Sequence, residues 1–82
     1  MSTSPEAIRT GDRVVRTISR WLVRRRPEKE LRAELDAVDL TRLEPSQVEA
    51  VHELQDELAA GAERPDLEAI ARETLDTVAR NA

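Results

Sequence analysis

Apolar and polar positions alternate along this chain with a helical period. At about 100° per residue, Ile8, Val14, Val15, Ile18, Trp21 and Leu22 share one side of a wheel, and Arg9, Arg13, Arg16, Arg20 and Arg24 share the other. This predicts a basic first helix over about 5–25. Ser4-Pro5-Glu6 suits its start: a capping hydroxyl, a proline with no amide to lose, and a carboxylate at the positive helix end. Thr10-Gly11-Asp12 leaves open whether that helix is continuous. Read as a strand, Val14 to Val23 would put Arg16, Arg20 and Arg24 on the same face as Val14, Ile18 and Leu22, so helix is the reading.

Pro27 disfavours helical geometry at Arg26 and starts a second helix over about 27–39. Its stripe, Leu31, Leu35 and Val38, is narrow, which places it at the periphery; Glu28 and Arg32 are spaced for an ion pair. A third, acidic helix over about 45–59 opens at Pro45. There Gln47 can reach back to the cap, Leu43 can staple to Val48, and Val48, Val51, Leu54 and Leu58 form the inward face before Gly61 ends it. After a linker from Ala60 to Pro65, a last helix over about 66–80 turns Leu67, Ile70, Ala71, Leu75 and Val78 inward, with Glu68, Arg72, Asp76 and Arg80 as outward pairs. The expected fold is all-α: a small bundle of three or four short amphipathic helices, joined by tight Pro/Gly turns, in one domain spanning 1–82.

Composition narrows the function classes. In 82 residues there is one Trp, no Phe or Tyr, and 37% charged side chains, so the core is aliphatic and thin. Burial in so short a chain barely offsets the entropy of ordering it, which points to self-association or a partner. With no cysteine, no leader pattern and no long apolar run, the chain reads as cytoplasmic and does not span a membrane. One lysine among thirteen basic residues, with abundant Ala, fits a GC-rich bacterial gene.

Recognisable chemistry is sparse. Glu49-x-x-His52 has the spacing of ligand pairs in di-iron bundles, but one copy whose members lie apart on the wheel predicts no metal site. A single histidine and only two glycines leave no hydrolytic triad or phosphate loop, so neither catalytic residues nor a cofactor are expected and the chain is read as not an enzyme. Residues 30–39 resemble the opening helix of the all-helical chorismate mutases, a resemblance that implies a substrate-carboxylate contact for Arg32. Pro45 interrupts the helix that runs on in that family, and helix-forming composition accounts for the match.

Charge is the main asymmetry. Residues 1–32 hold nine basic and four acidic side chains, and residues 33–82 hold four and thirteen. The simpler expectation for the arginines is a solvated face, or pairing with the acidic faces of the third and fourth helices, where Glu49, Glu53, Asp56 and Glu57 lie opposite the buried stripe. The preferred function is a protein–protein interaction module or accessory subunit, working by self-association or with a protein partner. The alternative is an anionic-surface binder, nucleic acid first and membrane surface second, using Arg9, Arg13, Arg16, Arg20, Arg24, Arg25 and Arg26. A pI near 5.0 and the lack of stacking aromatics weigh against nucleic acid. Trp21 and Leu22 are the candidate interface anchors, although a lone Trp on an apolar face more often fills the core.

Overall fold

The computed structural model describes the backbone of residues 5–24 and 26–80, and side chains from Ile8 onward. The chain is all-helical. Among the described residues, four α-helices, α1 (Pro5–Arg24), α2 (Glu28–Asp36), α3 (Pro45–Ala60) and α4 (Arg64–Arg80), are joined by short connections, with a 3₁₀ turn at Leu40–Arg42. α1 packs against α4 and α2, and α3 packs against the same two helices, so α1 and α3 lie diagonally across the bundle. The inward residues are the aliphatics Val14, Ile18, Leu31, Leu35, Val51, Leu54, Leu67 and Val78 around Trp21.

α1 runs unbroken through Gly11 and Asp12. Gly11 is buried beside the last turn of α4 and the Gln47 side chain that reaches in from the start of α3: a Cβ there would meet Val78 Cγ1 at 3.6 Å and Gln47 Nε2 at 3.8 Å, ordinary contact distances. The position therefore tolerates glycine without requiring it. The Ser4 cap lies outside the described residues.

The narrow stripe of α2 does not leave it at the edge, because Leu31 and Leu35 are both fully buried between α1 and α3. α2 also ends at Asp36, short of 39. The Asp39 carboxylate accepts the Thr41 backbone N–H and caps the following 3₁₀ turn, offering the backbone an alternative to continued helix. Hydrogen bonds donated by the Thr41 hydroxyl, by the same Thr41 amide and by Arg42 Nε hold the Asp39 carboxyl below its ordinary value.

The start of α3 is a capping box, in which the Glu44 backbone N–H donates to Gln47 Oε1 at 3.0 Å. Gln47 is 1% exposed, and its Nε2 donates to the Val78 carbonyl at 3.1 Å. Val78 sits in the last turn of α4, where carbonyls lack helical donors. One side chain thus satisfies the beginning of one helix and the end of another. Gln47 takes the inward place expected for Val48, which is half-buried. Gly61, at φ 75°, supplies the left-handed residue that ends α3.

α4 begins at Arg64, and its buried stripe is Leu67, Ala71, Thr74 and Val78, with Ile70 and Leu75 at its flanks. Thr74 was not expected inside. Its hydroxyl bonds the Ile70 carbonyl at 2.9 Å and the Ala50 carbonyl at 3.3 Å, which removes the cost of burying it. No helix among the described residues is long and apolar enough to cross a membrane.

Candidate functional site

The amphipathic period of α1 turns Val14, Ile18 and Trp21 into the bundle and leaves Arg9, Arg13, Arg16, Arg20 and Arg24 exposed on the opposite face. Asp12 is exposed on the same helix. Among the described residues none of these arginines forms a salt bridge. Among the described residues the expected internal pairing is not seen: Glu49, Glu53, Asp56 and Glu57 belong to α3 on the far diagonal of the bundle, and no carboxylate of the adjacent α4 forms a salt bridge with these arginines.

The remaining basic candidates separate from this row. Arg25 lies outside the described residues. Arg26 pairs with Glu30 of α2, and its carbonyl accepts from Arg64 Nη1 at 3.0 Å, so it belongs to the corner between helices. The candidate anchors also turn inward. Trp21 is 1% exposed and Leu22 is half-buried against the core, so neither is available on the surface as an anchor. Val23, which the amphipathic pattern left unassigned, is the residue that projects: it is 80% exposed beside Arg20 and Arg24.

Arg64 holds the end of α1 in place. Its guanidinium lies over the Trp21 ring, 4.4 Å from the centroid, and donates to the Trp21 carbonyl at 3.4 Å. It also bonds Glu28 at 3.3 Å and Glu68 at 3.1 Å. These contacts replace the expected Glu28–Arg32 and Glu68–Arg72 pairs; Asp76 and Arg80 do pair. No periodicity marks Arg64 in the sequence, since its role comes from three helix ends converging. The Trp21 indole N–H, buried beneath it, has no acceptor among the described residues.

On the opposite side of the bundle, Glu49, Glu53 and Asp56 are exposed along α3 and form no salt bridge among the described residues. Beside them a largely apolar groove of about 560 Å³ is lined by Leu40, Leu43, Pro45 and Val48, with Thr41, Glu49 and His52 at its edge. Glu49 and His52 are both exposed, and among the described residues no group of three or more metal-ligating side chains comes together. Arg32 is exposed on α2. No protein-family model, curated protein or solved structure matches the chain.

Proposed function

We propose that this protein is a non-enzymatic helical interaction module that docks an acidic protein surface through the arginine face of α1. The observation that supports the reading is the exposed row from Arg9 to Arg24, which has no carboxylate partner among the described residues. Like charges at i,i+4 destabilise a helix by about 0.2–0.5 kcal/mol per pair, and an acidic partner offsets that cost on binding. Planar guanidinium groups bond carboxylates in pairs, which gives such a row orientation as well as attraction.

Capture from nuclease-treated cell extract tests this, using the parent chain and an Arg13→Gln/Arg16→Gln/Arg20→Gln variant. A specific protein that the parent holds at low salt, and that the variant loses, supports the module. The opposing result is a parent that binds duplex or single-stranded nucleic acid, with a salt slope that drops by about 0.9 per arginine removed on duplex DNA. That result would transfer the face to phosphate recognition.

A further inference from the structure

We infer that one acidic surface taken by the arginine face is the outer face of α3 on a second copy of this chain, giving head-to-tail self-association. The inference rests on the docking role proposed above and names a partner for it.

The charge rows are complementary in position as well as in sign. Along a helix rising about 1.5 Å per residue, Arg13, Arg16 and Arg20 stand at about 0, 4.5 and 10.5 Å. Read backwards, Asp56, Glu53 and Glu49 stand at the same intervals. An antiparallel α1–α3 contact therefore sets Arg13 opposite Asp56, Arg16 opposite Glu53 and Arg20 opposite Glu49. All six side chains are exposed and none is engaged in a salt bridge among the described residues.

The same register aligns the apolar features. Continuing it by three residues brings Val23 level with Ser46 and, on the groove side, within one residue of Pro45, at the N-terminal end of α3, where the groove of Leu40, Leu43, Pro45 and Val48 opens. On the helical wheel, Val23 lies to one side of the arginine row, and Val48 and His52 lie to the corresponding side of the acidic row. In antiparallel helices those two sides coincide. The most exposed large aliphatic side chain of the described residues thus falls beside the apolar groove.

Because α1 and α3 lie diagonally, their outer faces point in opposite directions across a body about 20 Å thick. One pair of copies cannot make both contacts at once. The contact is heterologous and open-ended, and mass should grow with concentration instead of stopping at a dimer.

Sedimentation of the full chain at about 20 mM and about 500 mM salt, over a range of concentrations, tests this. Expected are species larger than a dimer at low salt that dissociate at high salt. Arg13→Glu/Arg16→Glu/Arg20→Glu and Glu49→Arg/Glu53→Arg/Asp56→Arg should each be monomeric and helical alone, and associate when mixed in equal amounts. The register has a separate test, since the chain has no native cysteine. A mixture of Val23→Cys and Pro45→Cys chains should oxidise mainly to the mixed disulfide dimer, whereas Val23→Cys with Ala60→Cys should not. A parent that is monomeric at low salt, or stops at a dimer, or associates equally after either charge reversal, overturns the inference. A mixed disulfide no more abundant than with Ala60→Cys overturns the register. If the parent is monomeric yet still captures an acidic protein through Arg13, Arg16 and Arg20, self-association fails while the interaction module stands.

Discussion

Replacing Gln47 should destabilise the fold more than any other single polar truncation among the residues described. Its Oε1 accepts from the Glu44 N–H, and its Nε2 donates to the carbonyl of the fully buried Val78. Gln47→Ala removes both bonds. It strands the Val78 carbonyl, at about 1–3 kcal/mol for a buried group left unsatisfied, and removes half of a capping box, at about 0.5–1 kcal/mol. Some packing is lost as well. The expected loss is about 2–4 kcal/mol, against a typical total of about 5–15 kcal/mol. For a chain of this size it corresponds to a fall in Tm of roughly 10–25 °C. Urea unfolding followed by helical circular dichroism gives the free energy. Gln55→Ala, which removes only an exposed bond to Asp36, is the control and should cost under about 0.5 kcal/mol. Gln47→Glu adds a sign: a carboxylate there faces the Val78 carbonyl without a donor, so its folded-state pKa should be raised. That variant should regain stability as pH falls and the carboxyl protonates. A Gln47→Ala loss below about 1 kcal/mol, or a Gln47→Glu variant whose deficit does not shrink in acid, would refute the two-helix cap.

Gly11→Ala should stabilise the protein by about 1 kcal/mol in the same unfolding assay, because the helix is continuous there and the added methyl meets only ordinary contacts. Gly61→Ala should cost about 1 kcal/mol at its left-handed φ of 75°, although nothing lies within 4 Å of the new Cβ. Arg64→Lys keeps the charge but loses the fork that reaches Trp21, Arg26, Glu28 and Glu68, and should lower Tm and shift Trp21 fluorescence. The Asp39 carboxyl should titrate below 3.8 by NMR, with its 3₁₀ turn stabilised above the unfolded pKa and weakened as pH falls through the lower folded value.

Much of this fold was legible because its signals are local. Pro45, Gln47 and Gly61 bound α3 by capping chemistry that needs no tertiary partner, and the α1 stripe follows from period alone. What was not legible depends on where helices meet. Thr74 reads as polar surface, and Gln47 only as a local cap, until a carbonyl on another segment is brought to each. Asp39 starts the 3₁₀ turn beyond α2 with a side-chain bond that a hydrophobic pattern cannot register. The arginine row was legible as a face, but whether it met internal carboxylates depended on α3 lying across the diagonal instead of alongside. Val23 was overlooked because a lone aliphatic among arginines carries no periodic signal.

The unpaired row links stability to the proposed role. Arg9, Arg13, Arg16, Arg20 and Arg24 form four neighbouring like-charge pairs at i,i+3 or i,i+4, a cost on the order of 1–2 kcal/mol at low salt. Asp12 lies among them and forms no salt bridge among the described residues, and its field offsets only part of that cost. Gln has nearly the helix propensity of Arg, so Arg13→Gln/Arg16→Gln/Arg20→Gln should raise the stability of the isolated chain by about 0.5–1.5 kcal/mol while weakening its docking. Screening makes the same point: added salt should narrow the gap between parent and variant, since it quiets the repulsion only the parent carries. Thermal unfolding of both chains across a salt series, at concentrations low enough to keep them monomeric, measures this. A triple variant less stable than its parent would mean that the arginines hold the fold together, and would remove the reason for assigning them to a partner.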